Sequence, residues 1–185
     1  MKSIELSQQQ IIELTENWLE KAVIGLNLCP FAKAPHVKKQ IRYVVSEATT
    51  PDALLIDLVR ELETLAEANP EKIETTLLIH PHTLSDFLDY NDFIEVADDA
   101  LVELDLDGIL QVASFHPDYQ FADTAPDDIE NYTNRAPFPT LHLLREDSVD
   151  AAVEAFPEAE TIFEKNMETM SVLGHEGWQK LFPKA

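Results

Sequence analysis

The 185-residue sequence contains a single cysteine and only four glycines. One cysteine cannot close an internal disulfide, so a disulfide scaffold is excluded and a reducing compartment is expected. The few glycines form neither a GxGxxG nor a GxxxxGK[ST] motif, and no GxSxG motif is present. We therefore expect no nucleotide cofactor bound through a nucleotide-binding motif of the common glycine-rich kind.

Basic residues and long apolar runs are also scarce. The chain has 13 lysines and arginines against 35 aspartates and glutamates, a formal net charge of -22. Such a chain repels the phosphate backbone, so nucleic acid is not an expected partner. No apolar run approaches the ~18 residues of a membrane span, and no signal-peptide pattern is seen. A membrane is therefore not an expected partner, and the cytoplasm is the expected location.

The sequence does contain enough apolar residues for one core. Its hydrophobic fraction is 45%, and its length predicts a single domain over residues 1–185. Apolar residues at helical spacing, capped by Ser7, predict a helix over residues 4–26. Strands are predicted at residues 41–46, 75–80, 109–115 and 140–145. Further helices are predicted at 51–69, at 85–106 with a break near Tyr90, and at 149–181 with breaks at Pro157 and Gly174.

This order of elements predicts an α/β (or α+β) fold, a mixed sheet of about four strands with helices packed against it. The long strand–helix–strand crossovers predict that the first three strands are parallel. The fourth strand is reached by a loop and is expected to be antiparallel. A ferredoxin-like α+β sandwich is the alternative, because it also alternates helices with a small number of strands.

Two histidines predict a site at the carboxyl edge of this sheet, where open α/β sheets bind ligands. His80 and His116 each precede a proline at the end of a predicted strand. Proline disfavours the helical conformation at the preceding residue, so each imidazole is held on extended backbone. The same edge is expected to hold Glu47, His82, Asp118, Asn134 and Arg135.

Three chemistries fit such an edge. His80, His116 and His82 are candidate ligands for zinc or another divalent metal, although no established metal-binding spacing is present. His116 and His80 are also candidate acid–base catalysts, with Asp118 fixing a tautomer. Arg135 suits an anionic substrate. The alternative is that the histidines cap strand ends by hydrogen-bonding to nearby carbonyl groups.

The distribution of charge favours a local anion site. Residues 43–134 contain 22 acidic residues and two basic ones, whereas residues 33–42 contain four cations and no acid. Arg42, Arg135 and Arg145, which are three of the four arginines, are therefore candidate substrate-binding residues, together with Asn134. A solubilising acidic surface with a chance basic cluster is the alternative.

His142 lies inside an apolar strand, where a histidine is usually a core residue. If it shares a face with Gln111 of a neighbouring strand, the two form a polar pair that lines a pocket. Cys29 is a candidate thiol nucleophile, although its apolar neighbours favour a packing role. Residues 116–139 form a long loop, which either folds over the strand edge as a lid or is structural.

Three blocks of sequence are distinctive: VIGLNLCPFA at residues 23–32, SFHPDYQFA at 114–122, and NRAPFP at 134–139 with LHLLR at 141–145. Together they resemble a bacterial domain-of-unknown-function family, the one numbered fourteen-fifteen. The resemblance implies an intact single-domain protein of uncharacterised activity. The blocks contain Cys29, His116, Asp118, Asn134, Arg135 and His142, which overlap the predicted edge site.

The sequence therefore predicts a small-molecule enzyme that acts on an anionic substrate through a His/Asp/Arg site at the strand edge. The alternative is a non-catalytic module that binds a small anion or a protein, with structural histidines.

Overall fold

The computed structural model describes residues 6–156 and 161–182. Within these ranges the elements are α1 (Gln8–Trp18), a π-helical turn (Leu19–Ile24), α2 (Lys33–Val37), β1 (Ile41–Val45), α3 (Pro51–Glu67), β2 (Thr75–Ile79), α4 (Phe87–Glu103), β3 (Leu110–Phe115), a 3-10 helix (Ile129–Asn134), β4 (Thr140–Arg145), α5 (Glu146–Ala155) and α6 (Ile162–Leu181). None of the helices in these ranges is both long and apolar enough to cross a membrane.

All four predicted strands are confirmed to within one residue at each end. The first helix differs from its prediction, because α1 begins at Gln8 and becomes π-helical at Leu19; residues 4 and 5 lie outside the described ranges. Ser7 caps α1 as predicted: its Oγ accepts from the Gln10 N–H, while the Gln10 side chain accepts from the Ser7 N–H. This reciprocal pair satisfies two donors at the open end of the helix.

The predicted break near Tyr90 is wrong, since α4 runs unbroken through that residue. The Tyr90 side chain is fully buried, and its hydroxyl donates to the Thr140 carbonyl and accepts from the Phe115 N–H. These two bonds fasten α4 to the sheet. The predicted break at Gly174 is confirmed by its φ of 62° and ψ of 174°, and the break predicted at Pro157 lies outside the described residues.

The sheet has the strand order β1-β2-β4-β3. Only β1 and β2 form a parallel pair, while β4 is antiparallel to both β2 and β3. The prediction of three parallel strands is therefore wrong in its pairing, because β4 inserts between β2 and β3. The parallel β1–β2 pair and the order of elements along the chain also differ from the ferredoxin-like alternative.

Although β4 lies between β2 and β3, the first three strands still run in the same direction, as predicted. Because β2 and β3 both run opposite to β4, they point in the same direction, as does β1. The carboxyl ends of β1, β2 and β3 therefore reach the same edge of the sheet, where β4 begins.

Two apolar clusters cover the two faces of the sheet. The larger cluster joins α3 and α4 to one face, and four leucines of α3 in it are fully buried: Leu54, Leu58, Leu62 and Leu65. Burial of each such side chain contributes about 1.5–3 kcal/mol. The smaller cluster packs Trp18, the π-helical turn and the last turn of α6 against Ile41, Tyr43 and Phe115 on the other face.

Candidate functional site

His80 lies directly after β2 and is fully buried. Its Nδ1 is 3.1 Å from the Thr83 carbonyl oxygen, so this nitrogen carries the proton and donates. Its Nε2 is buried and has no hydrogen-bond partner among the described residues. The pKa of His80 is lowered to about 4, mainly by burial and to a smaller extent by the nearby His116, while the hydrogen bond to the Thr83 carbonyl opposes this shift. His80 is therefore neutral near pH 7.

His116 lies directly after β3, and both of its ring nitrogens are engaged by backbone. Its Nε2 donates to the Leu84 carbonyl at 3.1 Å, and its Nδ1 accepts from the Asp118 N–H at 3.0 Å. Burial lowers the pKa of His116 below its ordinary value. Asp118 contributes this backbone N–H, while its side chain lies in an exposed position.

The structure brings His80 and His116 together around the ring of Tyr90. Their ring centroids lie 5.7 Å and 5.0 Å from that of Tyr90. His82, the third predicted metal ligand, is exposed. The described part of the chain holds no group of three histidine, cysteine, aspartate or glutamate side chains that could bind a metal ion.

Two of the predicted substrate-binding arginines are held by internal partners. Arg42 forms a bidentate ion pair with the buried Glu61, at 2.7 Å and 3.2 Å. Nη2 of Arg145 donates to three carbonyls at and beyond the end of α3, those of Leu65, Ala68 and Ile73. Both guanidinium groups therefore have a structural role in the fold.

Asn134 and Arg135 organise the loop of residues 116–139. Nδ2 of Asn134 donates to the Ser114 carbonyl, and the Asn134 carbonyl accepts from the His116 N–H. Nε of Arg135 donates to the Tyr119 carbonyl and Nη2 to that of Pro126. The Arg135 guanidinium also lies 4.3 Å from the centroid of the Tyr132 ring, a cation–π contact.

The side chain of Asn131 makes the central hydrogen bonds of this loop, although no sequence pattern marked Asn131 as a site residue. Its Oδ1 accepts from the Phe121 N–H and the Thr124 hydroxyl, and its Nδ2 donates to the Ala125 carbonyl. Asn131 is fully buried within the 3-10 helix. An asparagine in a polar, acidic stretch gives no local signal of such burial.

His142 and Gln111 lie on the same face of the sheet. In the β3–β4 register, Ala113 pairs with His142 and Gln111 with Leu144, so Gln111 and His142 are diagonal neighbours. The Thr75 hydroxyl donates to the Leu143 carbonyl, so Nε2 of His142, 2.7 Å from the Thr75 oxygen, is the donor there. Burial lowers the pKa of His142 to about 4.

Cys29 packs against the apolar cluster that contains Trp18. Burial raises the pKa of its thiol, and backbone N–H groups of Phe31 and Ala32 offset part of that effect. A raised pKa reduces the thiolate fraction, and the thiolate is the reactive form.

A groove that the sequence analysis did not predict lies between α1, the loop and α6. It encloses about 560 Å³. We call it the α1–α6 groove; its lining residues are Leu14, Asn17, Trp18, Lys21, Pro117, Tyr132, Arg135, Ala136, Pro137, Trp178 and Phe182. These residues include two cations and no acid. Only Arg135 was a candidate from the sequence, because the lining residues come from three distant segments whose approach no spacing pattern encodes.

The π-helical turn positions Lys21 at this groove. The Gly25 N–H donates to the carbonyl of Glu20, five residues earlier, at 2.9 Å. A Cβ at Gly25 would collide with the Lys21 carbonyl oxygen and crowd that of Glu20. Glycine therefore permits the widened turn, which buries Ala22 and Val23 while leaving Lys21 exposed. Turns of this kind occur often at functional sites.

A second hollow, of about 760 Å³, lies between α6 and residues 26–30. Its lining is mainly apolar and carries one lysine and one glutamate, Lys165 and Glu168. Because these charges oppose each other, the hollow lacks the uniform cationic lining of the α1–α6 groove. The groove is therefore the stronger candidate for an anion site.

Comparison with known proteins identifies the family. The sequence model of one family, described as Protein of unknown function (DUF1415), matches residues 10–180. No curated protein and no solved structure matches the chain. The match covers nearly all of the elements described above, including the three sequence blocks and the α1–α6 groove residues as far as Trp178. The chain belongs to the DUF1415 family of proteins of unknown function.

Proposed function

We propose that this protein is a binding module for a small organic anion, which it holds in the α1–α6 groove. One observation carries the proposal. Across the whole chain acidic residues outnumber basic ones 35 to 13. Among the eleven residues that line the groove there are two basic residues, Lys21 and Arg135, and no acidic one.

Local charge of this kind attracts an anion even when the protein as a whole is negative. A cleft with walls of low polarity concentrates the field of the cations inside it. The walls here are largely apolar, since Trp18, Tyr132, Trp178 and Phe182 contribute their rings. The volume of about 560 Å³ falls in the range of small-molecule sites.

The hydrogen bonds of the strand edge favour binding over acid–base catalysis. A general acid or base needs a ring nitrogen within reach of the substrate. Both nitrogens of His116 are engaged by backbone groups, and Nδ1 of His80 donates to the Thr83 carbonyl. Nε2 of His80 has no partner among the described residues, but His80 is fully buried, so this nitrogen is closed to a substrate. These contacts support the alternative of a non-catalytic module in which the histidines are structural.

The test uses 8-anilinonaphthalene-1-sulfonate, an anion with an aromatic body, as a fluorescent probe of the groove. We expect saturable binding to the native protein. Lys21→Gln should weaken it by about fivefold, the size of effect that an exposed ion pair supports. Lys21 is exposed, so this substitution removes the charge without disturbing the core.

Lys38→Gln is the matched control, because Lys38 is exposed at the end of α2 and does not line the groove. Its probe affinity should equal that of the native protein. Equal affinities for Lys21→Gln and Lys38→Gln would refute the proposed site. Arg135→Gln should weaken the probe by about tenfold, provided its melting temperature shows that the loop remains folded.

A further inference from the structure

Trp18 has a polar group for which the described residues supply no acceptor. The residue is 3% exposed and lines the α1–α6 groove. Its Nε1 is buried and has no hydrogen-bond partner among the described residues. The indole ring is held in place by an edge-to-face contact with Phe115, with centroids 5.2 Å apart. Nε1 is closed to solvent in this structure, so a ligand acceptor reaches it only when the ring or the groove wall shifts slightly. Because a buried donor is costly when unpaired, the new hydrogen bond favours that shift.

Arg135 offers the groove only part of its guanidinium group. Nε and Nη2 already donate to the carbonyls of Tyr119 and Pro126. Neither bond uses Nη1, so Nη1 is the nitrogen left for a ligand. The groove therefore offers a ligand two cationic donors, Nη1 of Arg135 and the ammonium group of the exposed Lys21. Arg135 lies in the loop and Lys21 in the π-helical turn, so the two donors come from different sides of the groove.

The backbone around the groove is suited to a single negative charge rather than to a phosphate dianion. None of the four glycines lines the groove, so it has no glycine-rich cradle of N–H groups. Phe182 directly follows the C-terminus of α6. Helix C-termini carry partial negative charge, which opposes a second negative charge on the ligand.

The remaining surface of the groove is aromatic and apolar. Tyr132 and Trp178 meet edge to face at 5.3 Å, and Trp178 and Phe182 lie 5.4 Å apart. Pro117 and Pro137 add rigid apolar surface beside them. Rings at these angles present faces and edges to a flat apolar group, and such contacts add to the area buried.

Resting on the proposed function, we infer that the ligand is a monocarboxylate with a planar apolar body, and that Nε1 of Trp18 donates a hydrogen bond to its carboxylate. Lys21 and Nη1 of Arg135 complete the recognition of the charge. Trp178, Tyr132 and Phe182 contact the body of the ligand.

The ligand class is tested with phenylacetate and three comparison probes. Acetate lacks the aromatic ring, phenyl phosphate has a phosphate in place of the carboxylate, and benzylamine has a positive charge in place of the negative one. Binding is followed by the chemical shifts of the native protein at pH 8, where phenyl phosphate is a dianion. We expect phenylacetate to bind about tenfold or more tightly than acetate or phenyl phosphate, and benzylamine not to bind.

The Trp18 donor is read directly, because the chain has two tryptophans and hence two indole N–H signals. Trp178→Phe assigns them by removing one. Saturation with phenylacetate should move the Trp18 signal downfield, as a new hydrogen bond requires. Trp18→Phe should weaken phenylacetate by about tenfold, since it deletes a donor to a charged acceptor.

The control for Trp18→Phe is the melting temperature of the ligand-free variant, which shows whether the substitution disturbs the fold. Because Nε1 has no partner in the part of the chain that the structure describes, this substitution deletes no hydrogen bond there. A Trp18 indole signal that stays unmoved at saturating phenylacetate would overturn the Trp18 assignment, and this measurement on the native protein does not depend on whether the variant folds.

The outcomes separate the two proposals. If phenyl phosphate binds as tightly as phenylacetate and Lys21→Gln weakens both, the anion site stands and the carboxylate inference is overturned. If no anionic probe, 8-anilinonaphthalene-1-sulfonate included, depends on Lys21, the proposed function itself is refuted.

Discussion

Each of the four arginines is bound by groups of the protein itself. Arg42 pairs with Glu61, Arg60 with Asp57, and Arg145 and Arg135 donate to backbone carbonyls. In a chain with few cations, their positions in the sequence suggested anion recognition. Of the four, Arg135 also lines the α1–α6 groove. A guanidinium group therefore indicates an anion site only when some of its donors remain available to a ligand.

Arg145 tests this structural role. Arg145→Leu should lower the free energy of unfolding by about 2–3 kcal/mol, because three carbonyls at and beyond the end of α3 lose a charged donor. Urea denaturation measures the change. Arg60→Leu is the control: the Arg60 side chain is 63% exposed where it pairs with the partly buried Asp57, so a change within about 0.5 kcal/mol is expected. Equal losses for the two variants would contradict the assigned role of Arg145.

His142 predicts a pH dependence of stability. Its pKa is about 4 in the folded protein against an ordinary value of 6.5, so below pH 6.5 the unfolded chain takes up a proton that the folded protein does not. Stability should therefore fall as the pH drops from 6.5 to 4, by at most about 1.4 kcal/mol per pH unit for this group. Above pH 6.5 the contribution is constant.

His142→Gln isolates this effect, because glutamine keeps a donor for the Thr75 hydroxyl oxygen and does not titrate. The difference in unfolding free energy between native protein and variant, measured by urea denaturation from pH 7.5 to pH 4.5, should shift in favour of the variant on acidification. A difference that stays constant over this range would contradict the lowered pKa. The comparison cancels the titration of the many carboxylates common to both proteins.

The π-helical turn and the loop of residues 116–139 together build the α1–α6 groove. The turn carries Lys21 beside Trp18, and the loop carries Tyr132, Arg135 and Pro137. Neither element has the periodic apolar pattern that identifies a strand or a long helix. The π-helical turn depends on the absence of a Cβ at Gly25. The loop depends on the hydrogen bonds of the buried Asn131 side chain.

Gly25 tests the turn. Gly25→Ala should destabilise the protein by about 2 kcal/mol, because its Cβ meets the Lys21 carbonyl oxygen, a backbone atom that moves only if the turn rearranges. Gly177→Ala in α6 is the control: its Cβ meets only the Leu173 side chain, and alanine favours the helix. Melting temperatures measure both. A Gly25→Ala protein as stable as the Gly177→Ala protein would contradict the requirement for glycine.

The whole molecule carries a net charge of -22, and few described cations are available to offset it. Like charges spread over a compact surface repel one another and destabilise the folded state. The described ion pairs are mainly partly or wholly exposed, as between Lys180 and Glu176, and such pairs contribute little. Self-repulsion is therefore the dominant long-range electrostatic effect.

Salt should consequently stabilise the fold. Raising NaCl from about 0.01 M to about 0.1 M shortens the screening length from roughly 30 Å to about 10 Å, which weakens repulsion between distant carboxylates. We expect the melting temperature at pH 7.5 to rise over this range and then to level off. The same titration with sucrose at equal osmolality controls for solvent exclusion. A melting temperature that falls with NaCl would show that favourable ion pairs outweigh the repulsion.

The outline of the fold could be predicted because it depends on local pattern. Runs of β-branched and apolar residues between turn formers located all four strands, and Ser7 was correctly predicted to cap the first helix, although the predicted range began at residue 4. The position of β4 between β2 and β3 could not be predicted. Strand order depends on which apolar faces pack together, and alternation within a strand carries no information about its neighbour.

The strand-edge site could likewise be predicted in part from the sequence. The meeting of His80 and His116 at one edge followed from the common direction of their strands, which is a local property of the crossovers. Their hydrogen-bond partners did not follow, because the Leu84 and Thr83 carbonyls are placed by the turn after β2. A histidine next to a proline looks the same in sequence whether its ring nitrogens are free or engaged.

By itself the sequence determined the acidic charge, the absence of a disulfide and the positions of the strands, since composition and short-range periodicity carry this information. Only the tertiary structure decided which cations face a groove and which are held inside the fold. Arg145, for example, meets carbonyls of residues 72 to 80 positions away. Trp18, Arg135 and Trp178 likewise line one groove from distant segments. Such contacts arise when segments that are far apart in the sequence pack together. They depend on the shapes of all the packed segments, and no single segment encodes them.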